Sequence, residues 1–229
     1  MKRRMLSIIC VLALCLGLLP TVALAANPTT LTVGGTNVLD GGCWKTNESG
    51  ILTTEGASES DYNVKYDSAT GTLTLKDATI NGTKTTGHVG AGIYAEGDLT
   101  IVLEGSSTVT GVQDPNGDSQ SIRVSGNLTI QGGGSLTAQG AETSSGSSYG
   151  IFVIGSFTQQ SGSVTAIGGN INGNHTSTGL YVYGSTVTVQ GGTLTATGGT
   201  TGSGSYGISM FSSVTVGNAT VTATGGTGK

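Results

Sequence analysis

Charge is scarce in this chain. Aspartate, glutamate, lysine and arginine together make up 10% of it, and aromatic residues 5%. Proline is scarcer still, with 3 residues beside 41 glycines, so the glycine content is not that of a collagen-like repeat. Aliphatic residues and threonine are abundant, which argues against a disordered chain. Long apolar runs are also missing after the first, Met5 to Leu19, which follows Lys2, Arg3 and Arg4 and ends at Ala23-Leu24-Ala25. That run is short for a membrane span and has the layout of a secretory signal peptide over residues 1–25, cleaved before Ala26. Export without membrane insertion is the expectation, to the cell surface or beyond.

Removing residues 1–25 leaves six basic residues against thirteen acidic ones, a net charge of −7. Such a balance argues against nucleic-acid and anionic-membrane partners. Cysteine is nearly absent as well. Cys10 and Cys15 leave with the signal, and neither follows the small residue that lipid attachment needs, so only Cys43 remains and no internal disulfide holds the fold. About 200 residues suffice to bury a core, and the composition points to short strands joined by many turns.

A repeat dominates what is present. The segments AGIYAEGDLTI, QSIRVSGNLTI, YGIFVIGSFTQ, TGLYVYGSTVTV and YGISMFSSVTV align on Ile93, Ile122, Ile151, Leu180 and Ile208, spaced 29, 29, 29 and 28 residues apart. Each unit reads as three short alternating strands separated by glycine corners. The expected fold is therefore all-β, a single-stranded parallel β-helix (solenoid) with three short strands per coil of about 28–29 residues. Period-two alternation turns Ile93/Ala95, Ile122/Val124, Ile151/Val153, Leu180/Val182 and Ile208/Met210 inward on the first strand. The second strand buries Leu99/Ile101, Leu128/Ile130, Val187/Val189 and Val214/Val216, and the third Val109, Leu136, Val164, Leu194 and Val221 beside small alanines. Coil three breaks the pattern, because Gln159 stands where its neighbours carry aliphatic residues. Either it finds a partner inside or the register shifts there.

Upstream, YNVKYDSATGTLTLKDATI carries two alternating runs and reads as a hairpin or as a first, irregular coil. Residues 26–62 are expected to cap the open core end and 63–229 to form the repeats. At the other end the chain stops at TGGTGK with no polar cap, which fits either a self-capping coil or a fragment of a longer surface protein.

The stretch VKYDSATGTLTLKDATI, followed by GAGIYAEGDLTIVLEG and the YGIxV, LTI and GGSLTA units, resembles the exported β-helical carbohydrate-binding domain proteins of Gram-positive anaerobic bacteria, within the pectin-lyase-like superfamily. The resemblance covers roughly Tyr62 to Gly226. It implies a right-handed helix and non-catalytic attachment to plant or host glycans.

Outward positions of the first strand carry the functional argument. They are Tyr94 and Glu96, Arg123 and Ser125, Phe152 and Ile154, Tyr181 and Tyr183, Ser209 and Phe211. Five aromatics among ten positions form a ridge on the order of 20 Å long at the spacing of stacked coils. Aromatic faces pack on the C–H faces of sugars, so Tyr94, Arg123, Phe152, Tyr181, Tyr183 and Phe211 are the candidate polysaccharide-binding residues. The competing reading is a ladder of rings that only stack on one another in the stalk of a larger surface protein. A polysaccharide lyase or hydrolase needs several carboxylates on this face, where only Glu96 and Arg123 are charged, and no catalytic residue is assigned. His88 and His175 are separate loop residues with no second ligand near them in sequence, and no metal site is assigned. The stretch DPNGDS, Asp114 to Ser119, alternates oxygen ligands as calcium loops do but lacks their glycine and distal glutamate, so a polar turn is the better reading and calcium is only weakly supported. Threonine pairs on the third strand, such as Thr193/Thr195, resemble the ice-binding face of β-solenoid antifreeze proteins, although threonine is also a favourable exposed strand residue in its own right. Four polar loops, VQDPNGDS, AETSSGSS, GNINGNHTST and GTTGSGS, leave the coils at one corner, where repeat proteins often place specificity.

Overall fold

The computed structural model describes residues 27–83, 90–113 and 117–228. Residues 1–25, where an export signal is expected, His88 and the Asp114–Asn116 part of DPNGDS lie outside them. All regular structure among the described residues is β, in stacked coils of three strands forming a solenoid of about five turns. No helix of the described residues is long and apolar enough to cross a membrane.

The first face stacks Ala91–Glu96, Ser119–Val124, Ser148–Val153, Ser177–Val182 and Ser205–Met210 in parallel, with Ile93, Ile122, Ile151, Leu180 and Ile208 in one column. On the second face, Leu99, Leu128, Phe157, Val187 and Val214 form the equivalent column, and on the third Leu136, Val164, Leu194 and Val221 follow Ser107, whereas Val109 stands two residues off the position the repeat gives it, in the next inward column with Ile80, Ala138, Ala166, Ala196 and Ala223. The alternation therefore sorts the core as the repeat predicts. Ile93, Ile122, Ile151, Leu180, Leu128, Phe157, Val187 and Leu194 are all fully buried. Gln159 keeps the register, between Ile130 and Val189, and meets half of its burial locally. Its Nε2 donates to the carbonyls of Gly162 (3.0 Å) and Thr193 (3.1 Å), whereas its Oε1 is buried with no hydrogen-bond partner among the described residues, so part of the cost of placing an amide in the core remains.

Polar ladders brace the corners between faces. Ser148 Oγ donates to the carbonyl of Ala141 and accepts from the amide of Gly169; Ser177 Oγ donates to Gly169 and accepts from Gly199; Ser205 Oγ donates to Gly199 and accepts from Gly226. Each hydroxyl satisfies two backbone groups that the turn leaves without sheet partners. At the next corner the Asn127 amide donates to Asp98 Oδ1 (2.8 Å) and the Ser156 amide to Asn127 Oδ1 (2.9 Å). Asp98 is thus occupied in turning the chain onto the second face.

Both readings of the upstream segment hold at once. Val64–Asp67 and Thr72–Lys76 form an antiparallel hairpin, and Thr72–Lys76 also pairs in parallel with Leu99–Glu104, so the hairpin's second strand begins the solenoid. Thr30–Val33 lies antiparallel on Ala91–Glu96, closing the first face. Asn81 on the third face bonds to the backbone of Ser49 and Gly50. Trp44 is buried in this cap, whose outer side carries the Lys45–Asp61 and Lys65–Glu59 ion pairs.

The far end differs. Val214 and Val216 hold the inward register expected of them, opposite Val187 and Val189, yet are 42% and 48% exposed. Their inner neighbours are fully buried because a further coil lies over them, whereas among the described residues none lies over the last.

Candidate functional site: an aromatic ridge on the first face

Side chains on the outer side of a parallel strand stand directly over their counterparts one coil away, so rings at equivalent positions must meet. Phe152 and Tyr181 occupy equivalent positions. Their rings stack at 5.1 Å between centroids with an interplanar angle of 18°. Both are half-buried, each leaving part of its ring to solvent. Arg123, one coil earlier, lays its guanidinium over Phe152 at 4.9 Å from the ring centroid, a cation–π contact that uses the flat face of the ion. On the other side, Phe211 meets Tyr183 edge-on at 5.4 Å and Tyr181 at 6.4 Å. Tyr183 is 59% and Phe211 72% exposed. Arg123, Phe152, Tyr181, Tyr183 and Phe211 therefore form one continuous surface, as the strand pattern predicts.

Tyr94 does not join it. Its position on the strand is outward, but it is only 8% exposed, with Thr32 of the cap strand on one side and Arg123 on the other. The cap strand that closes the first face also walls in this ring. Its hydroxyl donates to Glu96 Oε1 at 2.6 Å, and Glu96 Oε2 accepts from Thr30 Oγ1 at 2.9 Å. Burial first, then the hydrogen bond and charge of Glu96, push the Tyr94 hydroxyl up to about 12. The neutral form is the one the fold prefers, so this contribution to stability is intact below the ordinary tyrosine range and is lost as the pH rises through about 12. An alkaline titration followed by tyrosinate absorbance should show one late-ionising tyrosine that disappears in Tyr94→Phe; an unchanged curve would return Tyr94 to the exposed ridge.

Tyr149 replaces it, and alternation along the strand misses this residue. Tyr149 has the parity of the inward residues Ile151 and Val153, but Gly150 and Ile151 are both buried, so the alternation slips by one at the glycine. A side chain at Gly150 would place its Cβ 2.5 Å from the Ile167 amide nitrogen, which makes glycine obligatory there. Tyr149 emerges on the outer side, 5.1 Å from Phe152 edge-on and 5.4 Å from Tyr181. Burial raises its hydroxyl above the ordinary range, and Tyr181 is raised for the same reason. The available signal was the phrase SYGI, present at both Tyr149 and Tyr206.

The remaining candidates lie elsewhere. His175 is exposed in its loop, where its carbonyl accepts from Thr201 Oγ1. Asp118 accepts from the Ser147 amide (2.7 Å) as a rung of the corner ladder. The corner loops are packed, since Thr143 pairs with Ile171 as an isolated bridge and Thr143, Ile171 and Thr201 are buried. Thr79, Thr108, Thr137, Thr165, Thr195 and Thr222 form one unbroken outer column on the third face. No protein-family model, no curated protein and no solved structure matches this chain.

Proposed function

We propose that this protein is an exported, non-catalytic carbohydrate-binding or adhesive module that contacts an extended polysaccharide through the ridge of Arg123, Tyr149, Phe152, Tyr181, Tyr183 and Phe211. The observation that carries the reading is the stacked Phe152–Tyr181 pair continued by the exposed Tyr183 and Phe211. Rings fixed by a rigid sheet lose little conformational freedom on binding, and each offers an apolar face to a sugar ring. Arg123 and the tyrosine hydroxyls lie beside those faces as hydroxyl or carboxylate partners. An open ridge on a solenoid face suits a long chain of sugars better than a small molecule enclosed on all sides. The resemblance to exported β-helical carbohydrate-binding proteins points the same way.

Non-catalytic binding is favoured by the chemistry of the face. Its carboxylate, Glu96, is engaged by Tyr94 and Thr30 at the capped end, away from the exposed rings. Hydrolysis by two carboxylates, or proton abstraction beside a cation, requires a group facing the sugar.

The test is affinity electrophoresis against a panel of soluble glucans, mannans, xylans, galacturonans and glycosaminoglycans. Retardation by at least one class, without loss of polymer viscosity, is expected. Free migration in every gel would sink the reading in favour of a stalk with no ligand, and falling viscosity would show an enzyme.

A further inference from the structure

We propose that Asn172 is a spontaneous modification site, at which deamidation to aspartate or isoaspartate releases a latch between two neighbouring corner loops.

An asparagine followed by glycine is chemically labile, because no Cβ on the glycine shields its amide nitrogen from the asparagine side-chain carbon. The chain has three such pairs, beginning at Asn81, Asn116 and Asn172, and Asn116 lies outside the described residues. In an unfolded chain they are chemically alike. The fold separates the other two. Asn81 ends the strand Thr79–Asn81 and is tied at each group the reaction needs. Its Nδ2 donates to the Ser49 carbonyl (2.7 Å), its Oδ1 accepts from Thr110 Oγ1 (2.6 Å), and the Gly82 amide donates to the Thr110 carbonyl (2.8 Å). Asn172 instead sits exposed in a bend, and among the described residues the Gly173 amide donates to no acceptor. Asn172, Gly173, Asn174 and Gly202 line an open groove of about 420 Å³, which gives water access to the pair.

The chemistry balances with water alone. The Gly173 nitrogen attacks Cγ of Asn172 and gives up its proton; the N–Cγ bond forms, the Cγ–Nδ2 bond breaks, and Nδ2 leaves with that proton as ammonia. Water then opens the cyclic imide at either carbonyl. One opening gives aspartate at position 172, and the other gives isoaspartate, in which the backbone runs through the former side chain.

Either product removes a contact between loops. Asn172 Nδ2 donates to Glu142 Oε1 at 2.7 Å, from the loop GNINGNHTST to the loop AETSSGSS. A carboxylate in its place has no proton to give and faces a second carboxylate at contact distance, which disfavours the charged form of both. Backbone bonds beside the latch then hold the loops without it: the Thr143 amide to the Asn170 carbonyl (3.0 Å) and the Asn172 amide to the Thr143 carbonyl (2.9 Å). Isoaspartate, longer by one backbone atom, also displaces the Gly173 carbonyl, which accepts from the Gly202 amide (3.2 Å) of the next loop. Both latched loops lead directly into strands of the first face, Ser148–Val153 and Ser177–Val182.

Neither the site nor its test depends on a glycan. Folded protein incubated at mildly alkaline pH and mapped by peptide mass spectrometry should convert at Asn172 at least about tenfold faster than at Asn81, where three hydrogen bonds must open before attack. In concentrated urea the two rates should converge. Equal rates in the folded protein, or no conversion at Asn172, overturns the proposal; so does a difference that persists in urea, because the fold would then not be its cause. Asn172→Gln keeps the amide but needs a larger ring, and should stop conversion at this position. The wild-type measurements stand whether or not that variant folds. Anion exchange separates the converted protein by its added negative charge, and its Thr143 and Gly202 amides should exchange with deuterium at least about tenfold faster than in the unconverted protein. Unchanged exchange at both amides would refute the release of the latch.

Discussion

Alanine at Phe152, Tyr181 and Tyr183 together should weaken polysaccharide binding at least about 100-fold and leave the solenoid folded. Truncating a central aromatic anchor typically costs about 2 kcal/mol, and neighbours that touch are not additive. Three such rings discounted for coupling still lose about 3 kcal/mol, which is the 100-fold stated. The rings stand on the outer side of strands whose inner residues Ile151, Val153, Leu180 and Val182 stay in place. What the fold loses is ring–ring contact, about 0.5–1.5 kcal/mol per pair. All five ring pairs of the ridge include one of the three residues, so even discounted for coupling melting should fall by about 10 °C, since a chain of this size moves about 2–4 °C per kcal/mol. Tyr94→Phe is the matched control, because that ring is walled in by the cap strand and should not change binding. Isothermal titration against whichever polymer the electrophoresis identifies provides the measurement; undiminished affinity in the triple variant would show that the ridge is not the contact surface.

Most of the coil could be read from the chain because the solenoid repeats one decision. Each inward position recurs 27 to 30 residues on, so an error at one coil is exposed by its neighbours, and the columns from Ile93 to Ile208 and from Leu99 to Val214 follow directly. Gln159 could be recognised as an exception for the same reason, although its two carbonyl partners depend on a corner geometry that alternation does not encode. The site was less legible at its two ends. Tyr94 has an outward parity in its own strand, and what buries it is Thr30–Val33, more than sixty residues away in a segment outside the repeat. Tyr149 has an inward parity, and what exposes it is a slip at Gly150 forced by the close approach of the third strand. Both follow from contacts between strands and neither from pattern within one. The serine column Ser119, Ser148, Ser177 and Ser205 was available as a period but carried no hint of its hydrogen bonds, since serine is common in exposed turns as well.

Gly192→Ala should cost about 2–5 kcal/mol, whereas Gly133→Ala, a glycine at the same corner two coils earlier, should cost nothing measurable. Gly192 has φ +80°, and a Cβ there would lie 1.9 Å from the Gly162 carbonyl oxygen. An alanine in that left-handed region is strained by about 1–3 kcal/mol even with space around it. Here the space is missing too, and the obstructing atom is backbone already held in place. The Gly162 carbonyl accepts from the Thr193 amide (3.0 Å) and from Gln159 Nε2 (3.0 Å), so it cannot move aside without giving up both. Relief must come from separating coil four from coil three at this corner, which exposes Gln159 and Leu194 to water. In a solenoid each coil is stabilised by its neighbours alone, so the damage should concentrate on the C-terminal side. The expected result is a melt about 10 °C lower at 2–4 °C per kcal/mol, with an early phase in which amides beyond residue 186 exchange before the rest. A Cβ added to Gly133 would meet no heavy atom within 4 Å, and its φ is not positive, so alanine there should leave the melt unchanged or slightly raised through a stiffer unfolded chain. Equal effects of the two substitutions would mean that the stacked carbonyls do not set the coil spacing at this corner.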